Sequence, residues 1–197
     1  MEFLAALLSG SKPTIIVPHL DELVTTLTDP FVVPLDSPQL QSAATSLLLG
    51  IFTAVRGKGT KVIEAHYVAT GRLSSLKGTV RRAFRFLLLQ LSFPLLAHKA
   101  HAALLALSEL EADHGQGIVF LYRQHTSALL QEAISDYEVD SLWSPSSCAE
   151  HMLIGRLLQP PAVAGFPVHE DALTFLQLLE FLASIPRKAT DMELAPE

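Results

Sequence analysis

Four basic residues at helical spacing form the most distinctive chemical pattern in this sequence. Lys77, Arg81 and Arg85 are four residues apart, so on a helix they stack on one face, and Arg82 lies beside them. A row of ammonium and guanidinium groups binds anions, either phosphate oxygens or the carboxylates of an acidic protein surface. The pattern therefore predicts an anion-binding helix face.

The sequence around this face concentrates positive charge further. Between Arg56 and Lys99 there are nine Lys or Arg residues and one acid, Glu64, which gives this segment a net charge of +8. The remaining five bases and nineteen acids give the rest of the chain −14, so the overall net charge of −6 hides the division. The residues that we assign to a partner-binding surface are Lys77, Arg81, Arg82, Arg85, Arg56, Lys58 and Lys61.

This basic stretch has three candidate counter-charges. The chain's own acids, clustered at 109–113 and 136–140, would neutralise it within the fold. An acidic partner protein is the second candidate, and nucleic acid or an anionic lipid surface is the third. Nucleic acid is less favoured, because aromatic residues that could stack on bases are sparse nearby and no recognition motif is present.

Pairs of potential zinc ligands occur twice in the sequence. His98 and His101 are three residues apart, and so are Cys148 and His151. Zinc sites use such pairs, but these two would have to converge from distant segments, and no CxxC or HExxH motif accompanies them. We therefore predict no metal site and no cofactor.

Catalytic motifs are missing from the sequence as well. The segment 57–61, Gly-Lys-Gly-Thr-Lys, resembles a phosphate loop, but it lacks the upstream glycine and follows a predicted helix rather than a strand. Glu109 and Asp113 are four apart and could act as an acid–base pair, although helix-end carboxylates are more often solvated. No GxSxG or GxGxxG motif is present. The sequence predicts a protein that is not an enzyme.

The composition indicates a large apolar core. The chain is 49% hydrophobic and 17% charged, with a mean hydropathy of +0.35. Its longest apolar run, 86–97, is twelve residues long and contains Gln90 and Pro94, whereas a membrane-spanning helix needs about 20 apolar residues. Glu2 stands where a signal peptide would have a basic residue, and the single cysteine fits a reducing compartment. We expect an intracellular protein, cytoplasmic or nuclear.

Apolar residues recur three and four positions apart, and prolines and glycines divide the chain into helical segments. We expect an all-α fold forming a single helical domain over 1–185, with a flexible tail over 186–197. Gly78 is the expected weak point of its helix, 31–36 an extended connector, and Ser37 a capping residue. The nine predicted helices cover about 2–8, 14–28, 38–55, 60–70, 73–91, 95–112, 118–135, 145–158 and 169–184.

A faint internal repeat is present in the first half of the chain. The segment 41–52 overlays on 80–91 at an offset of 39 residues, matching Ala44 with Ala83 and Leu48 with Leu87. A period near 40 with a small residue followed by leucines resembles HEAT and armadillo repeats, over about 14–91. The resemblance implies antiparallel helices stacked as a short solenoid, and the alternative is an irregular helical bundle.

These observations together favour a protein-interaction or scaffold module, a subunit of a larger assembly. Its basic helical face would meet an acidic partner protein. The alternative function is binding of nucleic acid or anionic lipid through the same basic stretch.

Overall fold

A computed structural model of the chain describes residues 10–56, 58–111, 117–136 and 145–157. Every regular element in these ranges is helical, which confirms the all-α class. A single α-helical turn, Pro13–Ile16, and a 3₁₀ turn, Val17–His19, come first. The seven helices that follow are α1 Leu20–Thr28, α2 Pro38–Val55, α3 Lys58–Ala69, α4 Leu73–Gln90, α5 Pro94–Glu111, α6 Ile118–Asp136 and α7 Pro145–Leu157.

Most of the predicted helices are present within a few residues of their expected bounds. The predicted helices 2–8 and 169–184 lie outside the described residues, as does the tail 186–197. None of the helices in the described part of the chain combines the length and hydrophobicity needed to cross a bilayer.

The predicted helix 14–28 is wrong in one respect, because it is interrupted at Pro18. Proline has no amide hydrogen, and its ring excludes the carbonyl four residues earlier, so an α-helix is not continued through it. The chain passes through the 3₁₀ turn before α1 begins at Leu20. Ile16, Val17 and Leu20 are all buried, so the interruption redirects the backbone without exposing its apolar face.

The segment 31–36 was expected to be extended, and that prediction is wrong. The Phe31 N–H donates to Asp29 Oδ1 (2.8 Å), and the Val32 and Val33 N–H groups donate to the Asp29 carbonyl (3.0 and 2.8 Å). An aspartate side chain can replace a backbone acceptor in this way and close a turn. The chain therefore turns tightly between α1 and α2.

Two local predictions about α2 and α4 also need correction. α2 begins at Pro38 as expected, but the Ser37 side chain makes no capping hydrogen bond; the proline ring, preset for helical φ, occupies the first position. α4 runs from Leu73 to Gln90 without a break at Gly78. Its buried residues before and after Gly78, such as Leu76 and Phe84, hold the helix together across the glycine.

The chain groups into two compact units, Met1–Leu121 and Tyr122–Glu197, and the single domain over 1–185 stays a prediction. In the first unit α2 packs most extensively on α5, and α4 packs on both α1 and α5. Fully buried Leu48, Phe52 and Phe84 lie in this core, and burying each such side chain contributes about 1.5–3 kcal/mol.

The second unit buries one face of α6 and one face of α7, including Leu129, Leu130 and Leu153. Burial raises the pKa of the Tyr122 phenol, and the Arg156 guanidinium partly opposes this. Tyr122 on α6 and Arg156 on α7 are therefore close enough to interact electrostatically.

Candidate interaction surface

The first turns of α4 are fixed by a half-buried carboxylate on α1. Asp21 accepts hydrogen bonds from Tyr67 Oη, Ser75 Oγ and Thr79 Oγ1, each 2.6 Å long. Arg72 Nη2 lies 3.2 Å from Asp21 Oδ2 and completes the set. We call these five residues the Asp21 cluster. It joins α1, the end of α3 and the start of α4 through a single side chain.

The electrostatics of the Asp21 cluster favour the ionised carboxylate. Burial raises the pKa of Asp21, but the hydrogen bonds from Ser75, Thr79 and Tyr67 and the charge of Arg72 outweigh it, so the pKa lies below its ordinary value of 3.8. Burial and the hydrogen bond to Asp21 raise the pKa of Tyr67. The Arg72 side chain is 57% exposed, so solvent weakens its ion pair, and the hydroxyl donors are the main stabilising contacts.

The other end of α4 is fixed by neutral amides. Gln90 Nε2 donates to Gln41 Oε1, and both side chains are buried. Gln41 Nε2 donates in turn to the carbonyls of Val33 and Pro34, at 3.0 Å each. This glutamine pair, Gln41 and Gln90, ties the end of α4 to the start of α2 and to the turn before it. Gln90 Oε1 is buried and has no hydrogen-bond partner.

The predicted basic face lies on α4 between these two attachments. Lys77 and Arg82 are exposed, whereas Arg81 and Arg85 are half-buried and interact within the chain. Arg82 Nη2 reaches Thr79 Oγ1 at 3.4 Å, and the same hydroxyl donates to Asp21. Thr79 thus links the exposed guanidinium of Arg82 to the Asp21 carboxylate.

The other basic residues of the predicted surface are not brought to α4 by any described contact. Arg56 is exposed just after α2, Lys61 is exposed on α3, and the side chain of Lys58 lies outside the described residues. α3 joins the Asp21 cluster through Tyr67, at the opposite end of α3 from Lys61. A single surface that includes these three residues therefore stays a prediction.

The predicted internal counter-charges fall mainly outside the described side chains. Glu109 is exposed on α5, and the acids at 111, 113 and 136–140 have no described side chain. Neutralisation of the basic face by these acids stays a prediction. One acid that the sequence did not single out, Asp21, does pair with a base of the +8 segment, Arg72.

The histidines considered as potential zinc ligands are exposed. His98 and His101 are exposed on α5, His151 is exposed on α7, and the Cys148 side chain lies outside the described residues. No group of three or more His, Cys, Asp or Glu in the described ranges is arranged to hold a metal ion.

Sequence reasoning missed the residues that hold α4 in place. Thr79 and Gln90 are polar residues at core-facing positions of the helical repeat, and Asp21 is half-buried beside buried Leu20. Gln90 was visible as a break in the apolar run, and Thr79 is flanked by buried Leu76, Val80 and Ala83. A polar residue on an apolar helix face is the signal that could have identified them, since buried polar groups need partners.

No protein-family model, curated protein or solved structure matches this chain. Its function therefore has to be inferred from the geometry of its own residues.

Proposed function

We propose that this chain is a non-enzymatic interaction module, a subunit of a larger assembly, which binds an acidic protein surface through the basic face of α4. The observation that carries the proposal is that Lys77 and Arg82 are exposed on a helix attached at both ends by polar contacts, half-buried at its start and buried at its end. A helix held in this way presents its charges in a fixed arrangement, and binding then loses less conformational entropy.

We propose in addition that the helices of the first unit stack in pairs, in the manner of HEAT or armadillo repeats, with α1 and α2 forming one pair and α4 and α5 the next. Asp21 meets Ser75 near the starts of α1 and α4, which supports a parallel arrangement of these two helices. The second helices of the two pairs are also in contact, since Ser46 on α2 accepts a hydrogen bond from Lys99 on α5 (3.2 Å). In this arrangement α2 corresponds to α5, rather than to α4 as in the 39-residue overlay.

Exposed apolar side chains support a role within an assembly. The Phe31 side chain is 96% exposed in the turn before α2, and that of Leu95 is 94% exposed in the first turn of α5. The glutamine pair brings these two residues to the same end of the unit. Gln41 bonds to the carbonyl of Val33, two residues after Phe31. Its partner Gln90 lies five residues before Leu95. Large apolar groups in such positions are typical of surfaces that a partner covers.

The experiment compares two charge-reversed variants of the full-length chain. Lys77→Glu/Arg82→Glu reverses the exposed part of the basic face and leaves Arg81 and Arg85, which interact within the chain, unchanged. Lys12→Glu/Arg123→Glu makes the same change in net charge at exposed positions on other elements. Proteins recovered with each tagged chain from its native cells are quantified by mass spectrometry, after circular dichroism has shown that both variants are folded.

We expect the wild type and the Lys12/Arg123 variant to recover one partner in equal amounts. The Lys77/Arg82 variant should recover about tenfold less of it, or even less, equivalent to about 1.4 kcal/mol or more of binding free energy. Equal recovery by all three chains would overturn the proposal. Retention on heparin or on phosphatidylserine vesicles, with a steep loss as salt rises, would favour the nucleic-acid or lipid alternative instead. Phe84 and Phe86, the aromatic residues of α4, are buried and cannot stack on bases.

A further inference from the structure

Gly78 lies near the N-terminal end of the basic face of α4, next to Lys77. By helix geometry Ser74 and Arg82 are one turn before and after it, and Lys77 and Arg81 lie together on one side of it. A Cβ atom built on Gly78 would meet no atom within 4 Å, and the backbone there is ordinary helix. Neither packing within the chain nor backbone conformation requires a glycine at this position.

The glycine is nevertheless unfavourable for the helix that carries it. Glycine is the least stable residue in a helix interior apart from proline, because it loses the most backbone entropy. What it provides is room, since a second backbone can come closer to a helix at a residue that has no side chain. At Gly78 this room is bounded by the exposed charges of Lys77 and Arg82.

We infer that the partner of the basic face is an acidic helix that crosses α4 at Gly78, with its carboxylates reaching Lys77 on one side of the crossing and Arg82 on the other. The inference rests on the proposed function and specifies its partner. The positive charge of both bounding residues selects an acidic occupant, because like charges brought together at a contact oppose binding.

A crossing helix fits this surface better than a molecule lying along it. Two packed helices have one point of closest approach, which a single glycine bordered by long side chains can accommodate. A molecule running along α4 would make contact over many residues, so the room at one glycine would contribute little to its binding. Leu73, one turn before Lys77, is 49% exposed and adds an apolar contact beside the charges, as protein interfaces do.

The test places a side chain at the crossing point without changing any charge. Gly78→Leu fills the space above α4 and should raise the melting temperature, since leucine is the better helix former. Gly155→Leu is the matched control, because Gly155 is also inside a helix and also has no atom within 4 Å of a built Cβ; Gly155 is exposed and Gly78 is half-buried. The probe is a labelled alanine-based helical peptide of about 20 residues with glutamates four apart, and binding is measured by fluorescence anisotropy at low salt.

We expect Gly78→Leu to weaken peptide binding by about tenfold or more while Gly155→Leu binds like the wild type. The matching peptide with glutamine in place of glutamate should not bind. If Gly78→Leu binds like the wild type while Lys77→Glu/Arg82→Glu does not, the crossing at Gly78 is wrong and the proposed function stands. If the Lys77/Arg82 variant also binds like the wild type, the proposed function itself is wrong.

Two further results would overturn the acidic helix as the occupant. One is that the wild-type chain fails to bind the glutamate peptide at all. The other is that it binds a single-stranded oligonucleotide or phosphatidylserine vesicles more tightly than the peptide under the same conditions.

Discussion

The two ends of α4 are held by opposite kinds of polar contact. At its start one ionised carboxylate, Asp21, collects three hydroxyl donors and a guanidinium. At its end two neutral amides, Gln41 and Gln90, bond to each other and to backbone carbonyls. Hydrogen bonds to a charged group contribute about 1.5–3 kcal/mol each and neutral ones about 0.5–1.5 kcal/mol. The charged attachment should therefore be the stronger one, and the only one of the two that responds to pH.

The difference also concerns how much of the chain each attachment brings together. The Asp21 cluster connects residues 46 to 58 positions apart in the sequence and joins three helices. The glutamine pair connects residues 49 positions apart, and it also fixes a local turn through the carbonyls of Val33 and Pro34. The exposed bases of α4 lie between the two, so both attachments determine how these charges are presented.

The largest effect that we predict is for Asp21→Ala. It removes the acceptor of three hydroxyl groups, of which Thr79 is buried, and should lower the free energy of unfolding by about 3 kcal/mol. Asp36→Ala, at an exposed aspartate in the turn before α2, is the control and should change it by about 0.5 kcal/mol or less. Urea denaturation measures both, and similar losses in the two variants would show that the Asp21 cluster contributes nothing special.

Substitutions in the glutamine pair should lower the free energy of unfolding by less, and the two substitutions should differ from each other. Gln41→Leu leaves the carbonyls of Val33 and Pro34 without their donor and should cost about 2 kcal/mol. Gln90→Leu keeps those bonds and removes an oxygen that is already unpaired, but it leaves Gln41 Oε1 without its donor, so it should cost about 1 kcal/mol. The same denaturation measurement applies, and a greater loss for Gln90→Leu would contradict the geometry of the pair.

Much of the secondary structure could be predicted from local signals. Pro38, Pro94 and Pro145 each occupy the first position of a helix, where the missing N–H is not needed, and they mark the starts of α2, α5 and α7. The interruption at Pro18 shows the limit of this reasoning. The apolar periodicity continues through that proline, and the periodicity alone does not report that the backbone hydrogen bonds are broken there.

The basic face could be predicted only in part. Helical spacing placed Lys77, Arg81 and Arg85 on one side of α4, but spacing does not decide which of them the neighbouring helices cover. Lys77 and Arg82 are exposed, and Arg81 and Arg85 are half-buried. Polar residues on apolar helix faces could have marked Asp21 and Thr79 one by one, but their meeting could not be predicted. The donors of the Asp21 cluster come from distant segments, and their meeting depends on the packing of α1, α3 and α4.

Hydrogen exchange along α4 as a function of pH tests the difference between its two ends most directly. Because the pKa of Asp21 is lowered in the folded protein, its contribution is complete above about pH 5 and is lost as the pH falls below 3.8 through the folded value. Between about pH 5 and pH 3, protection factors corrected for intrinsic exchange should fall at 75–79 and hold at 86–90. Asp21→Asn should abolish the pH dependence at 75–79. Equal loss of protection at both ends in the wild type, or an unchanged pH dependence in the Asn variant, would contradict a charged attachment at one end of α4 and a neutral one at the other.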